Sequence, residues 1–171
     1  IKKLGATVTF DAKSPSKPVI GVKFGDVTDP DLKHLEKLWT LRELYVIGNG
    51  ESVTDEGLGH LKGLKNLQTL VLPSSKHITD DGLRHLRGLI NLRSISLLGT
   101  QVADAGFVHF KMLRKLQSLD VSYTGVTGVG LENLNGLTGL RSLNLNHTPV
   151  TDIGLKHIEG LTNLRYLNLF G

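Results

Sequence analysis

Histidine recurs at one place in successive stretches of the chain: His34, His60, His85, His109 and His157, with Asn133 where a further one would fall. Imidazoles aligned at a fixed pitch could share a metal ion or titrate near neutral pH. A metal shell normally draws on carboxylates or thiolates beside the imidazoles, and none repeats next to these positions. The column is therefore expected to be structural, each ring bonding to the backbone of a neighbouring repeat. The chain has no cysteine, which excludes disulfides, thiolate-held zinc and a thiol nucleophile together. Ser, His and Asp are present in no catalytic order, Gly125, Gly128 and Gly130 lack the GxGxxG spacing, and there is neither a GxxxxGK segment nor a GxSxG elbow. No catalytic, cofactor-binding or metal-binding residue is expected, and the chain reads as a non-enzyme.

What positions these side chains is a repeat. The wording LxxLxLxx, a short turn, then VTDxGLxHLxGLxx starts at Leu41, Leu67, Leu92, Leu116 and Leu140, at intervals of 26, 25, 24 and 24 residues, and begins again at Leu164. The first apolar column is Leu41, Leu67, Leu92, Leu116, Leu140 and Leu164; the second is Leu44, Leu70, Ile95, Leu119, Leu143 and Leu167; the third is Val46, Leu72, Leu97, Val121, Leu145 and Leu169. After a turn follow Val53, Ile78, Val102, Val126 and Val150. The apolar period then changes from two to about 3.6, as when a strand hands over to a helix. Leu58 with Leu61, Leu83 with Leu86, Leu131 with Leu134 and Leu155 with Ile158 carry that helical spacing. Thr54, Thr79, Thr127 and Thr151 are expected to cap the helices, Asp55, Asp80, Asp104 and Asp152 to complement the helix dipole, and Gly63, Gly88, Gly136 and Gly160 to end them in a left-handed C-cap. Apolar residues at fixed offsets with this period predict a solenoid, each copy burying its leucines against the next.

On these motifs the chain resembles leucine-rich repeat proteins over residues 19 to 171. The VTDxGL segment is similar to the subclass found in F-box leucine-rich proteins, although the cysteines common there are absent. Thr100, Thr124 and Thr148 occupy the slot where many relatives carry an asparagine ladder, and that variant resembles repeat arrays of planctomycete-type bacterial proteins. The resemblance implies an α/β leucine-rich repeat solenoid, or horseshoe, with a parallel concave sheet and short convex helices. It also implies a cell-envelope or secreted setting rather than a cytoplasmic one.

Residues 1–18 depart from the repeat and are expected to form an N-terminal capping strand and turn. ATVTFDA at 6–12 alternates like a strand, SPSKP at 14–18 reads as a turn, and VIGVKF at 19–24 alternates again, so a β-hairpin cap over the first coil is expected. Residues 19–171 form the repeat domain: a shortened first copy built on Val22, Phe24, Val27, Leu32, Leu35 and Leu38, five full copies and a truncated last one. Seven parallel strands at about 4.8 Å each make a concave sheet roughly 30 Å long. Leu164, Leu167 and Leu169 would leave an uncapped edge, which invites self-association, and the natural chain is expected to continue beyond it.

Within LxxLxLxx the leucines point inward, so the residues between them face the concave surface. Those rows are Gly21, Lys23, Gly25; Glu43, Tyr45, Ile47; Thr69, Val71, Pro73; Ser94, Ser96, Leu98; Ser118, Asp120, Ser122; Ser142, Asn144, Asn146; and Tyr166, Asn168, Phe170, with Tyr123 and His147 at strand exits. The expected ligand-binding residues are Glu43, Tyr45, Ser96, Asp120, Ser122, Asn144, Asn146, Tyr166, Asn168 and Phe170. Hydroxyls and amides with a few rings suit a peptide or protein loop first and a glycan second. The net charge of +4 lies away from this face, in Arg42, Arg93, Arg141 and Arg165 along a rim and in cations on the helical side, which argues against nucleic acid. No apolar run is long enough to span a membrane. The reading is a non-catalytic protein or peptide interaction scaffold; the alternatives are a glycan-binding or structural envelope module and, as the F-box resemblance implies, the substrate-recognition part of a larger assembly.

Overall fold

The computed structural model describes residues 1–48, 52–72 and 74–171, with nothing said of the Lys2 side chain. Eight strands form one sheet in chain order: β1 (Thr7–Phe10), β2 (Val19–Phe24), β3 (Glu43–Val46), β4 (Thr69–Val71), β5 (Ser94–Ser96), β6 (Ser118–Asp120), β7 (Ser142–Asn144) and β8 (Tyr166–Asn168). β1 pairs antiparallel with β2, Val8 opposite Val22, and every later pair is parallel. The expected hairpin and seven parallel strands are both present. Each strand is short because only the LxL segment alternates.

The strands return through short helices: α1 (Asp29–Leu32), α2 (Asp55–Gly59), α3 (Asp80–Leu83) and α4 (Asp152–Leu155). The third and fourth full copies use 3-10 turns instead, Asp104–Phe110 and Val129–Leu134. Phe107 and Phe110 replace the paired leucines of the other helices and pack edge to face, their centroids 5.3 Å apart. The inward columns are buried without exception from Leu41 to Leu143, and Leu119 is fully enclosed. At the last coil Leu164 is half-buried while Leu167 and Leu169 are 40% exposed, since no described strand pairs beyond β8.

Asp55, Asp80, Asp104 and Asp152 stand in the first helical turns as expected, and coil-to-coil bonds on the helical side give this column a further role. Asp29 Oδ1 accepts the Thr54 N–H at 2.8 Å and its Oδ2 the Thr54 hydroxyl at 2.6 Å; Asp55 repeats both bonds to Thr79 at the same distances. Asp80 accepts the Ala103 N–H at 2.8 Å, and Asp104 accepts both groups of Thr127 as well as the Gly128 N–H. The carboxylate thus ties the start of one helix to the start of the next, a charge-assisted bridge whose partner lies a full repeat away. Thr54, Thr79 and Thr151 accept helical N–H groups as expected caps do. Thr127 does not cap; Gly128, left-handed at φ 109°, precedes the 3-10 turn there.

The glycines expected as left-handed C-caps are not left-handed. Gly63, Gly88, Gly136 and Gly160 all have ordinary φ, and the α-helices end in right-handed caps such as His60 and Arg84. The demanding glycines are those of DxGL. A methyl on Gly106 would lie 2.6 Å from Asp80 Oδ1 and 2.7 Å from Leu83 Cδ1, and one on Gly57 or Gly82 would overlap the bridging Asp29 or Asp55 carboxylate. A hydrogen in place of a side chain is what lets one helix approach the carboxylate of the coil before it.

Two tests follow from this geometry. Asp55→Ala should cost about 1–3 kcal/mol in urea unfolding, because Thr79 loses both acceptors; Asp152→Ala, in the same column with no partner among the described residues, should cost under about 1 kcal/mol, the dipole contribution alone. Equal losses would restore the dipole reading. Likewise Gly82→Ala should destabilise by about 1–3 kcal/mol through overpacking, while Gly63→Ala, with nothing within 4 Å of the new methyl, should stabilise by about 0.4–1 kcal/mol.

Candidate functional site

The register aligns the predicted concave rows across the whole sheet. One row runs Gly21, Glu43, Thr69, Ser94, Ser118, Ser142, Tyr166 and the next Lys23, Tyr45, Val71, Ser96, Asp120, Asn144, Asn168, each residue paired with its neighbour in the ladder. Glu43 and Tyr166 are exposed, and Tyr45, Ser96, Asp120, Asn144 and Asn168 are half-buried, as side chains standing on a solvated sheet face should be. In the third row Ser122 is only 2% exposed, whereas Asn146 is half-buried and Phe170 is 74% exposed. Pro73 of that row lies outside the described residues.

Several of these polar groups are already engaged. Asp120 Oδ1 accepts the Ser122 N–H at 3.0 Å and its hydroxyl at 2.6 Å; Asn144 Oδ1 accepts the Asn146 N–H at 3.1 Å, and Asn168 Oδ1 the Phe170 N–H at 3.1 Å. These bonds to the backbone two residues on are Asx turns, and they close the strand exits. The same bonds fix the amide orientation: Oδ1 turns to the backbone, and Nδ2 is left for another partner. Asn144 Nδ2 reaches Ser122 Oγ at 3.5 Å, while Asn168 Nδ2 donates to nothing among the described residues. Asn146 Oδ1 is buried without a partner.

Immediately after the turns each coil from the second full copy on passes through a left-handed residue: Ser74 (φ 57°), Gly99 (φ 68°), Tyr123 (φ 56°), His147 (φ 50°) and Gly171 (φ 117°). Glycine adopts this conformation freely; a bulky ring there costs about 1–2 kcal/mol. Two successive coils nevertheless place aromatic rings at this point. Tyr123 and His147 lie 4.5 Å apart at 39°, and His147 meets Phe170 at 5.8 Å and 90°, forming a step of three rings along one rim. Tyr123 is 55% exposed and His147 is exposed. Neither is among the ten residues expected to bind, and the signal for them was a column that reads Ser, Gly, Tyr, His, Gly.

The opposite rim carries the arginines. Arg42 pairs with Asp11 of the cap at 3.4 Å. Arg93, Arg141 and Arg165 are exposed and meet no carboxylate among the described residues. On the helical side an open groove of about 950 Å³ lies across the first three coils, lined by Asp29, Lys33, Glu36, Asp55, His60 and His85 among others, with charges of both signs.

The histidine column faces that side, and its expected bonds to neighbouring backbone are not found among the described residues. His60 Nδ1 instead meets Glu36 Oε1 of the preceding coil at 2.6 Å, a bond that holds the Glu36 carboxyl below the usual carboxylate range. His85 packs over Gly59 of the preceding coil, and Arg84 Nε donates to its Nε2 at 3.4 Å. Burial, together with the Arg84 and Lys62 charges, lowers the His85 pKa. Asn133 is buried and donates to the Gly130 carbonyl at 3.0 Å. Among the described residues no three His, Asp or Glu side chains converge as a metal site, and no helix is long and apolar enough to cross a membrane.

With this geometry in view, residues 114–171 match the leucine rich repeat family model. The coils before them carry the same wording and the same strand-and-return pattern, so the fold of the chain is a leucine-rich repeat solenoid. Its backbone is similar to the structure of an internalin C2 from Listeria monocytogenes strain 4b F2365, at 24% identity and a TM-score of 0.61, covering 88% of this chain and 70% of that one. It is also similar to an internalin, inlF, from the same strain, at 22% identity and a TM-score of 0.51, covering 86% of this chain; the chain spans about half of that protein, 51%. No curated protein sequence matches the chain.

A folded-state pKa below the ordinary 6.5 of histidine means that His85 favours the fold above that pH. As pH falls below it the unfolded chain takes up a proton before the folded one, so stability declines toward the lowered value. The urea midpoint should fall between pH 7.5 and 5.5, and fall less in His85→Gln; identical pH profiles would contradict the burial assigned to this ring.

Proposed function

We propose that the chain is a non-catalytic interaction module that binds a protein or peptide on its concave sheet. The observation that carries the reading is the unbroken register of the two outward rows from β2 to β8, which lays polar side chains and exposed rings over one continuous surface. Extended concave surfaces of this kind are the usual binding face of solenoids. The rings supply the area. Tyr45 stands half-buried near one end, and Tyr166 and Phe170, 53% and 74% exposed, stand at the other. Large apolar rings left in water, with amide and hydroxyl groups beside them, have the composition of an interface centre. Glu43, Ser96, Asp120, Asn144, Asn146 and Asn168 are the polar contacts in this reading. Ser122 acts beneath them, holding Asp120 rather than touching the ligand.

A variant with Tyr45, Tyr166 and Phe170 all changed to Ala tests it. These rings contribute little to the buried core, so the variant should keep the native circular dichroism spectrum. Partners recovered by the native chain from extracts and identified by mass spectrometry should drop at least tenfold with the variant. Equal recovery by both would move the interface to the convex side and overturn the proposal; glycans recovered in place of proteins would shift the ligand class.

A further inference from the structure

The concave face is not uniform along its length, and its last coils combine three features found together nowhere else on it among the described residues. The amides of Asn144 and Asn168 have their oxygens tied to backbone N–H groups, so what they offer a ligand is N–H. Arg141 and Arg165, just ahead of β7 and β8, are exposed cations without a carboxylate partner among the described residues. At the other ends of β6, β7 and β8 stands the ring step of Tyr123, His147 and Phe170. Positive charge at the rim where the strands begin, amide donors where they end and apolar faces just beyond define a ligand with a negative charge at one end, further acceptors along its length and an apolar group at the other end.

We propose that the last coils bind an extended acidic peptide segment, its carboxylate against Arg141 and Arg165 and an apolar side chain set into the ring step. This rests on the peptide-binding reading above and names the peptide's chemistry. The chain supplies its own precedent, because Arg42 of the same column already holds a carboxylate, that of Asp11. Phe170 lies five positions after Arg165. A peptide lying along the strands has the same rise of about 3.3 Å per residue, so its acidic and apolar residues stand about five apart. The ring geometry favours a side chain over a sugar. Rings tilted by 39° and 90° to one another present no single flat platform of the kind the face of a pyranose would need. The left-handed backbone at Tyr123 and His147 supports a presenting role, since glycine serves the turn alone at Gly99.

Selection of a random dodecapeptide phage library on the full chain tests this. The enriched sequences should share an Asp or Glu four to six residues from a Leu, Ile, Phe or Trp. A synthetic consensus peptide should bind at least tenfold more weakly to Arg141→Glu/Arg165→Glu, and to Phe170→Ala, than to the native chain, and more weakly with added salt. Arg84→Glu on the helical side should change affinity by less than twofold. Tyr123→Gly should weaken binding while leaving the urea midpoint at or above the native value, a split that a merely structural ring would not show. Enriched peptides that need the concave rings but carry no acid and ignore the arginines would overturn this inference and leave the concave reading standing. Peptides indifferent to rings and arginines alike would overturn both. An empty selection, with a galacturonate oligosaccharide shifting the Asn168 side-chain amide in NMR spectra, would overturn it in favour of an acidic glycan.

Discussion

Every coil of this chain buries its leucines only against the coils beside it, so the spacing of neighbouring coils must be held on the sheet side and on the helical side alike. On the sheet side the parallel ladder does this. On the helical side the Asp29, Asp55, Asp80 and Asp104 carboxylates reach the next coil's Thr or Ala N–H. At the returns before β4, β5 and β8, Asn66, Asn91 and Asn163 donate to the Trp39, Lys65 and Thr138 carbonyls of the coil before, all at 2.8 Å. The bonds span 23 to 27 residues of sequence, one period each. The glycine of DxGL is the steric condition for the second set, since any side chain there would occupy the carboxylate's place.

One coil departs from this scheme. In the fourth full copy the aspartate is replaced by Gly128, so the Thr151 N–H has no carboxylate to meet and turns to the Thr127 carbonyl at 3.1 Å. With no side chain in the gap, Gly128 and Gly154 come into near contact, and a methyl on either would fall within about 2.6 Å of the other's Cα. A single neutral bond thus replaces a bidentate charge-assisted one at the junction of the last two full coils, and a weaker junction is expected to open first in a nearest-neighbour array. The ring step crosses this same junction on the opposite face, since Tyr123 and His147 belong to the coils on its two sides.

The leucine columns, the strand parity and the capping hairpin were legible because each depends on residues a few positions apart, where sequence period and geometric period coincide. The aspartate bridges were not. Asp next to a helix start is equally what a dipole or a local cap would select, and the true partner sits one period away. Gly63, Gly88, Gly136 and Gly160 were misassigned for a related reason: glycine after a helix suggests a left-handed cap, but here the chain leaves the helix through right-handed turns. The concave rows were placed correctly by parity, yet parity cannot tell that Asn144 and Asn168 have already spent their oxygens on the backbone, or that Ser122 is covered. Tyr123 and His147 were legible as strand-exit residues, but their stacking was not, because propensity denies a left-handed conformation to bulky residues.

That last point bears on how such a surface acquires a preference. An asparagine that closes a turn through its oxygen must turn its amide nitrogen elsewhere, so the residue that builds the strand exit also sets the polarity of the face. Asp120, in the same column one coil earlier, closes its turn through one oxygen and keeps the other, making that position an acceptor. The column therefore changes from acceptor to donor between β6 and β7 with no change in backbone. Across a distance of one strand, about 4.8 Å, the same turn chemistry gives opposite demands on a ligand. The register of an acidic segment would be fixed by repulsion at Asp120 as much as by attraction at Arg141 and Arg165.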